Sequence, residues 1–215
     1  MSAELLVPDW LRQRAELSHG YHETALQLGM VPAQTTMRGF GSGGPRRRTA
    51  TLRSYRPLDA RSRQVALPET YRGLLERIYA NVGLTIEGAE LVPADGDPVT
   101  VELDQGRALG FLRLRRRDDP ALKQQLRHVL SRHADVVYAD IDLATVDDVD
   151  GATAAANELG FFVSGLILHG PDGHDHLRLQ LLDSTAIELE SVVCDSAFSQ
   201  ALMQDVLEDR ARVDG

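Results

Sequence analysis

The stretch from Asp135 to Asp183 constrains the fold of this chain most, because its apolar pattern switches between the strand and helix repeats several times in a short span. Val136-Val-Tyr-Ala-Asp-Ile-Asp-Leu143 is a β-rich apolar run with no helical period, which predicts a buried strand. A helix from Val149 to Leu159 follows, with Asp147 or Asp148 placed to cap its start and Gly160 placed to end it in a left-handed backbone. Phe161 to His169 and His176 to Leu182 then flank Gly170-Pro-Asp-Gly-His-Asp175, whose residues form turns, so the two runs read as a hairpin. The order strand, helix, strand, turn, strand predicts an α/β or α+β fold: a mixed, twisted sheet with flanking helices.

The rest of the chain supplies more of the same elements. Asp9 can cap a helix from Trp10 to Leu17, and Tyr21 to Leu28 reads as a second helical piece ended by Gly29. Val31 to Phe40 and Thr49 to Tyr55 read as strands joined by the basic loop Gly41 to Arg48, whose three arginines are expected in solvent. Asp59 to Gln64 suits a linker. From Pro68 a helix carries one apolar stripe, Tyr71, Leu74, Leu75, Ile78, Tyr79 and Val82, and stops at Gly83. A mixed segment, Leu84 to Val92, leads to a turn at Asp95-Gly-Asp97. Val99 to Leu103 and Leu109 to Leu114 read as a hairpin, Asp119 to His133 as a helix, and Ala197 to Arg212 as a charged amphipathic helix. This divides the chain into 1-58, a linker and helix over 59-98, and 99-215.

Charge and cysteine content narrow the function classes. The formal net charge is −9, which argues against binding nucleic acid or an anionic membrane surface and leaves a small-molecule partner. Cys194 has no second cysteine to pair with, no apolar run reaches the roughly 18 residues of a membrane span, and no basic-then-apolar leader is visible, so a cytoplasmic protein is expected. The hairpin from Val31 to Tyr55 is too small a sheet to hide its own apolar face, which predicts a symmetric homodimer.

Tyr21-His-Glu-Thr-Ala-Leu-Gln-Leu-Gly-Met30 and Ala152-Thr-Ala-Ala-Ala-Asn-Glu-Leu-Gly-Phe161 share a layout, each leading into two strands. This duplicated half-domain resembles the C-terminal half of the GNAT N-acyltransferase fold, in which a helix ending in a Leu-Gly-Phe type sequence leads into the last two strands. In active members of that family a Gln/Arg-x-x-Gly-x-Gly/Ala loop opens a helix and cradles the coenzyme A pyrophosphate on its backbone N–H groups. Here the matching segment, Leu112 to Ala121, has no glycine, and Asp118 and Asp119 would repel a phosphate. The resemblance therefore implies a GNAT-like scaffold that has dropped coenzyme A, with no cofactor and no metal. Three functions are compatible with it: an enzyme of small-molecule (secondary) metabolism, a residual acyltransferase, and a non-catalytic ligand-binding or regulatory protein. The sharpest form of the first is a Pictet–Spenglerase of the bacterial β-carboline type, joining an aromatic amine such as tryptophan to an aldehyde by acid/base catalysis.

Candidate site residues follow from that chemistry. Glu87, behind the apolar residues Leu84 and Ile86, is expected to be desolvated and so to act as the base, with Glu90 beside it. Arg77 on the preceding helix, or Arg38, Arg53 or Arg72, would hold a substrate carboxylate. Tyr138, Asp140 and Asp142 alternate onto one face of their strand, and Asp142 lies at the strand's C-terminal end, where α/β sheets place ligands. His22 joins His19 and Glu23 as a group able to titrate near neutrality. His169, His174 and His176, with Asp172 and Asp175, crowd one loop without a recognised metal-ligand spacing and are expected in solvent.

Overall fold

The computed structural model describes residues 1–6, 10–33, 47–58, 61–88, 95–183, 187, 189 and 192–215, with 2–6 and 10–12 described as backbone alone. In chain order the strands are β1 (Ser2–Leu6), β2 (His22–Val31), β3 (Thr49–Tyr55), β4 (Arg63–Val65), β5 (Ile86–Gly88), β6 (Val99–Asp104), β7 (Leu109–Leu114), β8 (Val136–Asp142), β9 (Phe162–Ile167) and β10 (His176–Leu182). The helices are α1 (Trp10–Ser18), α2 (Arg72–Val82, entered through a single 3-10 turn), α3 (Asp119–Ser131), α4 (Val149–Glu158) and α5 (Ala197–Asp214). Eight strands form one mixed sheet in the order β1-β3-β2-β9-β10-β8-β7-β6, and β4 and β5 make a separate parallel pair. The α/β fold with a mixed sheet and flanking helices is the one the sequence predicts.

Local chemistry sets the helix ends. Asp118, read in sequence as a phosphate-repelling charge, caps α3 by accepting from Ala121 N at 2.9 Å, and Pro120 occupies the first turn. Asp148 caps α4 through Gly151 N at 2.9 Å. Ser196 and Ser199 form a reciprocal capping box on α5. Alternation then sorts the sheet. Val137, Ala139 and Ile141 of β8 and Leu177 and Leu179 of β10 join the main core with Leu75, Ile78 and Tyr79 of α2, Leu122 of α3, Ala152 of α4 and Leu202 of α5. Each large apolar side chain buried there contributes on the order of 1.5–3 kcal/mol. The opposite face holds a small cluster, Met30, Leu109, Val136 and Tyr138, that no helical residue enters among the described residues.

Tyr21 to Leu28, expected as a helix, is strand. Eight successive residues from Glu23 to Met30 are buried, including the polar Glu23 and Gln27, which accept from Ser196 Oγ at 2.6 Å and Thr51 Oγ1 at 3.2 Å inside the fold instead of marking a solvent-facing helical stripe. The proposed match of Leu28-Gly-Met30 to Leu159-Gly-Phe161 thus pairs a strand with a helix end and fails. The repeat itself survives in another register. β1-α1-β2-β3 and β8-α4-β9-β10 have the same connectivity, each inserts its last strand between its first two, and each helix is followed by a left-handed glycine, Gly20 at φ 76° and Gly160 at φ 91°. The units meet where β2 runs antiparallel to β9.

That junction is stitched chiefly by side chains. Ala25 and Gly165 are its register pair. Beyond it, Gln180 of β10 accepts from Leu28 N at 2.8 Å and donates to Leu26 O and Val163 O, Ser164 Oγ donates to Leu26 O at 2.9 Å, and Tyr138 Oη donates to Leu28 O at 3.0 Å. The apolar face of β2 and β3, on which the expected homodimer rests, is buried within the chain, Leu26, Leu28 and Leu52 packing in one core with Leu75, Ile78 and Leu202. No helix among the described residues is long and apolar enough to cross a membrane.

Gly165 has φ 138°, and a Cβ there would lie 2.3 Å from Thr24 O and 2.6 Å from Ala25 Cα. Gly165→Ala is therefore expected to cost about 3 kcal/mol or more in urea unfolding, from backbone strain and overpacking together. Gly73→Ala on α2, where a Cβ meets nothing within 4 Å, should instead gain about 0.5–1 kcal/mol. Equal effects at the two positions would show that the junction is not tight.

Candidate functional site

The strand face that faces away from the helices carries a polar ladder fixed by register. Tyr138 of β8 lies between Phe111 of β7 and Gln180 of β10, Asp140 lies between Arg113 and Arg178, and Asp142 is paired with His176. The two-residue period places Tyr138, Asp140 and Asp142 on this one face, as alternation predicts. Arg178 grips Asp140 with both prongs, Nε to Oδ1 at 2.6 Å and Nη2 to Oδ2 at 2.7 Å, and the two side chains are only 8% and 5% exposed. Its guanidinium carbon lies 5.2 Å from the Tyr138 ring centre and 5.5 Å from that of Phe111, and the two rings stack at 5.5 Å. Burial pushes the Asp140 carboxyl upward, yet the charge and hydrogen bonds of Arg178, helped by Arg113, outweigh it and hold the group below the usual carboxylate range.

Above this floor lies a cleft of ≈ 380 Å³ whose lining includes Arg53, Arg107, Arg113, Arg178, Phe111 and His169. Four arginines face two carboxylates there, Glu102 and Asp140. Both carboxylates are engaged, Glu102 by Arg113 at 2.7 Å and Asp140 by Arg178. One wall is the loop after β9. His169 has a left-handed backbone, φ 48°, and is held by its N–H to Asp175 Oδ1 at 3.0 Å, by Arg63 at its Nε2, and by stacking on Tyr55. Asp175 is buried and also accepts from Tyr79 Oη at 3.0 Å. The loop thus has a buried anchor, contrary to the expectation of a solvated turn.

At the C-terminal end of β8, Asp142 is buried and accepts from Ala144 N on Oδ1 and from His174 Nδ1 on Oδ2, both at 2.8 Å. Burial raises its carboxyl, but the bonds from His174, Ala144 and Thr145 overcome that and lower it. The same bond to Asp142 raises His174.

The predicted site residues divide. Asp142 sits at the end of the ladder. Tyr138 lies beneath the cleft, its ring under Arg178 and its hydroxyl spent on Leu28 O, so it supports the floor instead of facing a ligand. Glu87 is exposed on β5, and the desolvation expected of it is absent because β4 and β5 form only a short two-stranded ribbon. Arg77 pairs with Asp205 of α5 at 2.5 Å and lines a groove between α2 and α5 that does not include Glu87, so the two are not brought to one cavity. His22 opens β2, half-buried opposite Tyr55, away from the ladder. Arg72 pairs with Glu69 in solvent, whereas Arg53 does line the cleft. Arg38 and Glu90 lie outside the described residues. Arg48, expected at a solvated hairpin tip, is buried and donates to Gly29 O, Arg107 O and Asp135.

Arg113, Arg178 and Glu102 were not singled out by sequence reasoning. The signal was present in His176-Leu-Arg-Leu-Gln-Leu181, an alternation of polar and apolar residues in a strand that turns out to be central, where an outward polar residue is buried and must find a partner. Comparison with family models, with curated proteins and with solved structures finds no match to this chain.

Arg178→Met leaves Asp140 buried without its cation and is expected to lose about 3–5 kcal/mol at neutral pH. The depressed carboxyl of the parent protein contributes stability that is present above the usual carboxylate range and is lost as pH falls through its lowered value. In the variant the unpaired carboxyl prefers the neutral form, so the difference between the two proteins should narrow from pH 7 toward pH 4 in urea titrations. A gap that stays constant over that range would assign the loss to packing and not to charge.

Proposed function

We propose that this chain binds a small organic anion, a carboxylate or phosphate carried on a flat or apolar body, in the arginine-lined cleft on the strand face. The observation that supports it is the concentration of Arg53, Arg107, Arg113 and Arg178 around Phe111 in a chain whose formal net charge is −9. Arginine forks suit carboxylate and phosphate, and arginines already oriented by carboxylates are held in place before a ligand arrives. Binding is favoured over acid/base turnover because Glu102 and Asp140, the two carboxylates in the lining, are each already paired with an arginine. A regulatory or ligand-sensing protein is the class this describes.

The GNAT-related scaffold remains part of the proposal. It is supported by the parallel β7-α3-β8 crossover followed by α4 and a hairpin whose last strand, β10, inserts beside β8. Coenzyme A use is disfavoured within it. The segment from Leu112 to Ala121 lacks glycine, its Asp118 caps α3, and Arg117 is tied to Asp119 at 3.0 Å and to Asp148 at 2.5 Å.

Thermal melting with tryptophan, other aromatic amino acids, short dicarboxylates, inorganic phosphate and acetyl-CoA tests this reading. At tenfold excess over Kd a ligand selective for the folded state adds about 1.4 kcal/mol, roughly 3–6 °C for a chain of this size. The expected result is such a shift with an organic anion, lost in Arg113→Ala. A shift confined to acetyl-CoA would favour acyl transfer, and consumption of tryptophan in the presence of an aldehyde would favour the Pictet–Spengler cyclase. No shift with any anion would sink the binding reading.

A further inference from the structure

The loop that forms one wall of the cleft also closes over the end of β8, and the group it assembles there has a different chemistry from the arginine floor. One carboxylate oxygen each of Asp142 and Asp172 and one ring nitrogen of His174 lie within 4.8 Å of one another. His176, 2% exposed, supports the loop carboxylate from beneath, its Nε2 lying 3.2 Å from Asp172 Oδ2. Each carboxylate is steered by a backbone amide on its other oxygen, Asp142 by Ala144 N and Asp172 by His174 N. Gly170 lets the loop lie against His176, since a Cβ there would fall 2.5 Å from the ring.

Charge separates this cluster from an ordinary polar loop. It holds two carboxylates, one of them buried; of the neighbouring guanidiniums, Arg63 is directed at Asp175 and His169, while Arg115 lies near His174. A divalent cation supplies the missing charge, and neutral imidazole with carboxylate oxygen is a donor set suited to zinc or manganese more than to calcium or magnesium. Donors on a tetrahedral ion at about 2.1 Å are roughly 3.4 Å apart, so the three donor atoms, already within 4.8 Å, would draw together around the ion, Asp172 being the exposed one of the three. That residue sits in the exposed turn between Gly170 and Gly173, and a cleft of ≈ 260 Å³ lined by His174 and Gly173 gives access from solvent.

We propose that Asp142, Asp172 and His174 form a binding site for one divalent transition-metal ion at the C-terminal end of β8, with His176 positioning Asp172. The site stands apart from the anion-binding reading: its ligands begin two residues beyond Asp140, roughly 7 Å along the strand.

The test uses the full chain, stripped with a chelator, titrated calorimetrically with zinc chloride and with manganese chloride in phosphate-free buffer. Asp172→Asn and His174→Gln are the variants, chosen because both residues lie on the loop, and far-UV circular dichroism confirms that each folds. The proposal expects one ion per chain for the parent and a loss of affinity of at least tenfold in each variant. It is overturned if the parent takes up neither ion at millimolar concentration, or if both folded variants bind as tightly as the parent, which is the behaviour of diffuse attraction to an acidic surface.

Discussion

The sheet exists as one object because Gly165 lets β9 approach the backbone of β2 at Ala25. A larger residue there would push apart the two β-α-β-β units, and everything built across them would be lost. The approach is brief, and past it the backbone of β2 is satisfied by Gln180, Ser164 and Tyr138 reaching over from the other unit. Backbone groups left bare in a buried sheet would cost on the order of 1–3 kcal/mol each, so these side chains are a condition of the fold. α5 reinforces the same junction: Asp209 accepts Val163 N at 2.7 Å, and Ser196 at its start donates to Glu23 of β2.

The cleft inherits its composition from that junction. Arg53 and Met30 come from the first unit, Arg178 and Asp140 from the second, and Phe111 and Arg113 from the hairpin that extends it. With the helices packed on the other side of the sheet, the central strands can place polar residues here only if these pair with one another, and the register does that by setting Arg178 against Asp140. A buried ion pair of this kind adds little net stability against an apolar pair of the same shape, but it makes the loss of either partner costly. Its presence so close to the cleft is better explained by orienting a guanidinium over two aromatic rings than by stabilising the sheet.

The chain from Asp135 to Asp183 was legible because each of its elements has a clean period and a turn or cap at each end. Asp148 and Gly160 do what their residue types suggest. Tyr21 to Leu28 was not legible, since its polar residues Glu23, Thr24 and Gln27 are buried against partners from other elements, which no local pattern reveals. The site was half legible. Alternation put Tyr138, Asp140 and Asp142 on one face, but the partners that turn them into a ladder come from β7 and β10, and the insertion of β10 beside β8 is a property of topology that no local pattern carries. Glu87 misled for the reverse reason: its apolar neighbours imply burial, yet among the described residues β5 pairs with β4 alone, in a ribbon separate from the large sheet.

The central claim is that one ligand site draws on both repeat units. Its most direct measurement is a titration of the isotope-labelled protein with the organic anion that melts it highest, followed through the Nε–Hε resonances of Arg53 from β3 and Arg178 from β10. The account predicts that both signals move and yield one common dissociation constant. Movement of neither, with shifts confined instead to residues between α2 and α5 such as Arg77, would contradict it.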